Sequence, residues 1–351
     1  MDKIPFIHIL YSGQLYGTER MTLNIAKGLS HEHLSTILTP DGLILAEAAN
    51  RSIVTKSFEG NWDLVSRIKF YLVRHQKLVF ATTSVSQSIL IMLCNLFYRR
   101  QVVHLHMVHG GAEEYLSYGR KSLFNNLPVK LIAVSNYVRE RLESHGVNPK
   151  KIQVIENFLL ASEIEKIPKR QPFGKEGIHG VIVVSRLDPI KKVDLLFDTL
   201  DSFPELSDLR FHIFGFGKDM EKLKTKAAAN YPQVILKGFS KDVFKAMANS
   251  DLLLHLCPVE PFGLAILEAI AIGLPVLIPN QGGTKTLVED NISGFHFNAN
   301  DAQDLGLSLL KLQQTSPAIL NSVVKNAQVR LINRYLETQG INSYRRLIKF
   351  D

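Results

Sequence analysis

A chain of 351 residues is longer than one hydrophobic core usually organises, so two domains are expected. Its 46% hydrophobic and 21% charged content is that of an ordinary soluble globular protein and argues against a disordered or membrane-embedded chain. The formal net charge of +8 is uneven, residues 1–160 holding 18 Lys and Arg against 12 Asp and Glu and the remainder 23 against 21.

A basic first half suits anionic headgroups or a phosphorylated ligand. The cations are scattered and not interleaved with aromatics, which speaks against nucleic acid. The two cysteines, Cys94 and Cys257, are far apart and lack metal-ligand spacing, so no disulfide framework is expected and a reducing cytoplasm fits. The opening "MDKIPFIHILYSG" shows no secretory pattern, and no run reaches the roughly 18 apolar residues of a membrane span. The longest apolar run, "SILIMLCNLFY" (88–98), is too short to span and reads as a buried helix.

In chain order, strands are expected at 6–10, 35–39, 77–82, 101–106, 130–134 and 151–155, with helices at 18–30 and 136–146 between them. Gly146 is placed to cap the second helix. Residues 157–180 carry prolines and glycines without a strand pattern and read as a linker, assigned to 161–180. Strand patterns resume at 181–185, 210–214, 233–238, 252–256, 275–279 and 294–297. Near-continuous apolar strands separated by helices imply parallel sheets covered on both faces. The expectation is two doubly wound α/β domains: 1–160, then 181–335 after the linker, with a helix at 336–351 returning to the first. Ligands bind at the carboxyl ends of such strands, and two such domains suggest a cleft between them.

Three stretches carry candidate chemistry. In "SRLDPIKKVDLL" (185–196), Arg186 and Lys191 follow a strand and suit a diphosphate; a solvated basic loop partnered by Asp188 and Asp194 is the other reading. In "FGFGKDMEKL" (214–223), Gly215 and Gly217 allow close backbone approach to an anion, although turn geometry alone explains them too. In "EPFGLAILEAIAIGLPV" (260–276), an otherwise apolar run carries Glu260 and Glu268. A helix starting near Phe262 and Gly263 would offer the N–H groups of Phe262, Gly263 and Leu264 between the two acids. Acids at both ends and donors in the middle suit a ligand with hydroxyls at each end and phosphate between, the shape of a nucleotide sugar.

These motifs, in this order, resemble the retaining GT-B glycosyltransferases of the large group 1 family, also called family 4. "EPFGLAILE" matches that family's Glu-x7-Glu pair, "VSRLDPIKKVDLL" its arginine–lysine motif, "FGFGKDMEKL" its glycine turn, "LKGFS" its base-facing loop and "PVLIPNQGG" the strand and turn after the second acid. "GTERMTLNIAKGL" and "AVSNYVRERLESHG" resemble its first domain, so the likeness covers nearly the whole chain.

The resemblance implies a GT-B fold with an acceptor-binding first domain and a donor-binding second. It implies that Glu268 binds ribose and Glu260 faces the transferred sugar. It puts Arg186 and Lys191 on the diphosphate, covered by Gly17, with Phe239 and Ser240 beside the base. It places a histidine near the sugar, expected to be His106, with His104 and His109 as rivals and His109 and Thr18 on the acceptor side. The activity implied is retaining transfer of a hexose from a nucleoside diphosphate sugar to a sugar, lipid-linked or small-molecule hydroxyl acceptor, in polysaccharide or glycolipid biosynthesis. Lacking an Asp-x-Asp motif, it is expected to need no metal and no cofactor, and to act in the cytoplasm, with peripheral membrane contact as an option. A catalytically silent scaffold or a sugar-nucleotide epimerase are the alternatives.

Departures from the family pattern fall at Tyr16, where paired glycines are common, at Thr286, often a glutamate, and at Ser185, often a glycine.

Overall fold

Strand patterns with no polar face require sheets buried on both sides, and two such sheets form. A computed structural model describes residues 3–110, 118–174, 177–240 and 242–350. The chain divides into two compact units, Met1–Leu160 with Glu337–Asp351, and Ala161–Leu336.

The first unit holds β1 (Ile4–Ile9), α1 (Gly17–Gly28), β2 (His33–Thr39), α2 (Leu43–Asn50), β3 (Val54–Ser57), α3 (Gly60–Arg74), β4 (Lys77–Thr82), α4 (Val85–Tyr98), β5 (Gln101–Val108), β6 (Lys130–Ala133), α5 (Asn136–Ser144) and β7 (Ile152–Val154). Its strands are parallel in the order β3-β2-β1-β4-β5-β6-β7. The order reverses between β1 and β4, where a doubly wound sheet opens a crevice at its carboxyl edge.

The second unit holds α6 (Ala161–Ile164), β8 (Gly180–Val184), α7 (Leu195–Ser202), β9 (Arg210–Phe214), α8 (Met220–Asn230), β10 (Val234–Gly238), α9 (Val243–Ala248), β11 (Leu252–Leu254), α10 (Leu264–Ile272), β12 (Val276–Pro279), β13 (Phe295–Phe297), α11 (Ala302–Gln313) and α12 (Pro317–Arg334). Its strand order, β10-β9-β8-β11-β12-β13, is again all parallel, with the switch point between β8 and β11. Each expected strand forms to within two residues at its ends. Edge strand β3 was not expected, because its "VTKS" is too short and too polar to register as a run.

Two expectations need correction. The stretch expected as an interdomain linker, 161–180, groups with the second unit, and its residues 161–174 and 177–180 are bound onto it. Arg170 pairs with Asp251 at 2.7 Å, donates to Ser250 O and stacks on Phe173, whose backbone N–H and C=O are both held by the Asn321 amide. Apolar residue Phe173 and the charge network anchor a stretch that composition reads as loose.

The second correction concerns α4, which is not buried all round. Ser84 caps it, accepting from Gln87 N–H while Gln87 accepts from Ser84 N–H, and it ends at Arg99 in the left-handed region. Only Gln87, Ser88, Ile91 and Cys94 of α4 are buried; Ile89, Leu93, Leu96 and Phe97 face outward.

The C-terminal helix α13 (Glu337–Leu347) packs on α1 in the first unit. Gly28 lies directly against Ile341 and Gly340 against the Phe158 ring, so any side chain at either glycine would collide with its neighbour. Arg345 adds an ion pair to Glu32 at 2.6 Å.

Candidate functional site

The switch point of the second sheet gathers the charged residues. β8 delivers Ser185 and Arg186, and a short 3-10 turn, Pro189–Lys191, follows; β11 delivers His255, Cys257 and the loop to Glu260. Lys191 Nζ donates to Glu260 Oε2 at 2.5 Å, with both side chains largely shielded from water.

Burial by itself opposes charge on both partners. Mutual attraction outweighs it, so Lys191 is raised above the ordinary lysine value and Glu260 is held below the ordinary carboxylate value, with His255 and Arg186 also acting on Glu260. The pair is therefore ionised. Arg186 contacts Asp188 at 2.9 Å and is nearly half exposed.

His255 Nε2 lies 3.8 Å from Glu260 Oε2. Burial pushes its pKa down to about 4, so it stands neutral beside the pair. Burial also pushes the Cys257 thiol up to about 11, and its Sγ donates to Ile190 O at 3.3 Å. His255, Cys257 and Glu260 each offer a donor atom within 4.8 Å of the others, the one such trio found among the described residues. The Lys191 ammonium already neutralises the carboxylate and the thiol is protonated. A divalent ion there would have to displace both, so the donor set does not fit a resident metal.

Backbone packing holds this loop. Gly282 has φ +75, and Gly283 donates its N–H to Glu260 O at 2.7 Å. Side chains at these glycines would strike the carbonyls of Pro258 and Pro261. Gly215 and Gly217 play the same part on the other side: they lie against the backbone of Ser185 and Leu187, shaping the Arg186 loop. Their lack of a side chain makes room for that backbone.

Gly263, in the left-handed region at φ +96, caps α10, an orientation that favours glycine. Phe262 is buried edge-on to Tyr335, and Leu264 begins the helix. Glu268 sits inside α10, 4% exposed, on a helix otherwise apolar. Phe239 and Ser240 follow edge strand β10, Phe239 largely exposed and Ser240 Oγ accepting from Asp242 N–H. The expected donor-side residues of this unit thus lie at the carboxyl edge of one sheet or on the helix leading from it.

The first unit has its own crevice at the β1/β4 switch point, a cleft of about 1020 Å³ lined by Thr18, Glu19, Ser84, His109, Arg120 and Lys121 among others. Gly17 opens α1, whose Glu19 carboxylate accepts from Tyr16 N–H at 3.2 Å.

Here the structure separates the candidate histidines by position. His106 is wholly buried, its Nδ1 within hydrogen-bonding distance of the Thr82 and Ser88 hydroxyls at 3.2 and 3.0 Å and its ring against Phe124. Strand parity turns both His104 and His106 into the interior, whereas His109, one residue past the strand, lines the cleft. Burial lowers His106 well below the ordinary histidine value and His109 to about 4.

Sequence reasoning missed Arg120 and Lys121, which occupy a 3-10 helix (Gly119–Phe124) with no motif around them. Burial, with Arg120 nearby, lowers Lys121 to about 8. A paired "RK" beside aromatic residues was the only available signal.

Comparison with known proteins matches each unit separately. Residues 16–159 match the family described as Glycosyltransferase Family 4, and residues 164–336 match Glycosyl transferases group 1. The UDP-Gal:alpha-D-GlcNAc-diphosphoundecaprenol alpha-1,3-galactosyltransferase of Escherichia coli is 28% identical over 257 residues, covering 66% of this chain and 65% of that protein. The poly(glycerol-phosphate) alpha-glucosyltransferase of Bacillus subtilis is 25% identical over 252 residues, 66% of this chain and 36% of that one. The match therefore spans less than two thirds of either relative's length. Among solved structures, Anabaena Alr3699/HepE in complex with UDP and glucose superposes with a TM-score of 0.81 over 98% of both chains at 20% identity, a likeness of fold. With one family matched on each unit and a shared GT-B architecture, the chain belongs to the group 1 and family 4 glycosyltransferases.

Proposed function

We propose that this protein transfers a hexose from a nucleoside diphosphate sugar to a hydroxyl acceptor with retention at the anomeric carbon, in polysaccharide or glycolipid biosynthesis. The observation that carries the reading is the ionised Lys191–Glu260 pair at the β8/β11 switch point, with Arg186 on the adjoining loop. A lysine ammonium has three N–H donors, and only one is spent on Glu260, so the others remain for diphosphate oxygens. Arg186 adds a second cation from a neighbouring loop.

Glycosyl transfer breaks the bond between the anomeric carbon and a diphosphate oxygen and forms one to the acceptor oxygen. The electrons of the broken bond stay on the diphosphate, and its growing charge is what Lys191, Arg186 and the amides opening α10 are suited to stabilise. The departing diphosphate can take the acceptor's proton on the same face, which balances the step without a protein base. Glu260 would face the sugar hydroxyls and Glu268 the ribose, while Phe239 and Ser240 would flank the base. Thr18 and His109 would serve the acceptor side; His106 would support that side from the interior. With these cations in place, the reaction would need no metal.

The relatives support the same reading: the E. coli enzyme is a galactosyltransferase named for UDP-Gal and a diphosphoundecaprenol-linked sugar, and HepE was solved with UDP and glucose. The test is thermal stabilisation by UDP, GDP and dTDP and their sugars, wild type against Glu268→Ala. One responding nucleotide whose shift shrinks in the variant supports the reading. No shift with any of them from a folded protein would overturn it.

A further inference from the structure

The outward face of α4 is apolar along its length. Ile89, Leu93, Leu96 and Phe97 form a stripe at helical spacing, running about 12 Å from Ile89 to Phe97. Leu96 is 69% exposed and Phe97 87%. No residue from Val85 to Tyr98 is charged. A soluble helix normally turns polar groups to water, and this one turns its hydrophobic surface there instead.

α3 packs beside α4, both burying their inner faces in one cluster with Ile68, Leu72, Ile91 and Cys94. Its own outward face adds Trp62, 90% exposed, with Phe70 and Val73. Around this apolar surface stand Lys69, Arg74 and Arg99, all exposed. Lys56 and Arg74 lie over the Phe70 ring at 4.7 and 3.7 Å. The one acid between residues 60 and 110, Asp63, is already held by Arg67.

We infer that the α3–α4 face docks on an anionic lipid surface. Amphipathic helices that lie in a membrane interface insert Trp, Phe and Leu and hold the headgroups with flanking cations, and this face supplies both. The charge decides between occupants. A second copy of this face would bring like charges together, whereas an anionic bilayer complements them.

The stripe also begins where the first unit's cleft opens, because Ile89 lines that cleft as well. Docking by this face would bring the cleft to the bilayer, and an acceptor carried on lipid would meet it there; this last step rests on the glycosyl-transfer reading.

The test is co-sedimentation of the full chain with vesicles of phosphatidylcholine and phosphatidylglycerol in equal amounts, against phosphatidylcholine alone, at low and high salt. The inference expects binding to the anionic vesicles that high salt weakens. Leu96→Ser with Phe97→Ser should weaken it by about tenfold or more, and Lys69→Glu with Arg99→Glu by about as much or more, at roughly fivefold per cation lost. All four positions are exposed, so circular dichroism and melting should match wild type, and nucleotide-induced stabilisation should persist whether or not vesicles bind.

No binding to anionic vesicles would overturn the inference, as would binding that both double variants retain. A concentration-dependent dimer abolished by Leu96→Ser with Phe97→Ser, without vesicle binding, would overturn it in favour of a second copy of the chain.

Discussion

Removing Lys191 alone should cost more stability than removing Lys191 and Glu260 together. In Lys191→Met the Glu260 carboxylate stays behind, its side chain only 18% exposed, beside a His255 that burial keeps neutral. Deleting one partner of a buried pair costs about 3–5 kcal/mol, because the other charge is left uncompensated. At about 2–4 °C per kcal/mol for a unit of this size, the melting temperature should fall by roughly 6–20 °C. Adding Glu260→Met removes the stranded charge and should return stability to within about 2 kcal/mol of wild type.

The pH dependence gives a second readout. Glu260 is lowered in the folded state, so its stabilisation is present above its unfolded value and lost as pH falls through the folded one. Lys191 is raised, so its stabilisation is present below its unfolded value and lost as pH rises through the folded one. The pair's own contribution to wild-type stability should therefore be flat between these limits. Measured against wild type at each pH, Lys191→Met should instead recover stability as pH drops from about 7 to about 5, because protonating Glu260 or His255 relieves the stranded charge. Thermal and urea unfolding of the four proteins of the cycle would check this. Single variants within about 1 kcal/mol of wild type, with an additive double variant, would refute the pairing and the site built on it.

Other outcomes follow from the same structure. His8, His104 and His255 are held to about 3, about 4 and about 4 by burial, so each takes up a proton on unfolding as pH falls below about 6.5. Stability should decline by up to about 1.4 kcal/mol per pH unit per histidine down to those values, and His104→Leu should flatten the decline in pH-dependent melting. His106→Ala should cost about 2–4 kcal/mol by urea unfolding, because it empties a buried site and removes the ring's hydrogen bonds with the Thr82 and Ser88 hydroxyls, which keep only each other and the Leu105 carbonyl, whereas cleft-lining His109→Ala should stay within about 1 kcal/mol. Gly283→Ala should destabilise by about 1–3 kcal/mol and abolish nucleotide-induced stabilisation, since its β-carbon would push the Pro261 carbonyl and with it the Glu260 loop. Sugar transfer should survive EDTA; activity lost in EDTA and restored by manganese would show that the cations at Arg186 and Lys191 do not suffice.

The fold was legible because its signal is redundant. A parallel sheet covered on both faces demands apolar strands such as "VIVVS" and "LLLHL", and twelve of them alternating with helices leave few other architectures. The charged residues of the second unit were legible for a related reason: strand ends and helix starts fix where Arg186, Lys191 and Glu260 must emerge. What escaped depends on contacts between distant segments. Spacing shows that His104 and His106 share a face of β5, but only packing against Thr82, Ser88 and Phe124 shows that the face is inside. Lys121 reaches the first unit's cleft from a short 3-10 turn that leaves no periodic trace.

The same distinction explains α4 and the glycines. Hydrophobic composition cannot separate a helix buried on all sides from one whose outer face waits for a partner, because both read as an unbroken apolar run. The missing information is what faces the outer side of the helix, which the helix's own sequence does not encode. The glycines carry the opposite ambiguity. Gly215 and Gly217 look like ligand contacts because the turn after a strand is where ligands bind, yet the space they create is filled by the backbone of Ser185 and Leu187. Gly282 and Gly283 likewise make room for the backbone of Pro258 and Pro261. Four glycines thus let four loops pack in pairs, backbone to backbone, and Arg186 and Glu260 stand on two of those loops. The charged side chains at this switch point are readable from local pattern, and their placement rests on backbone contacts that no local pattern encodes.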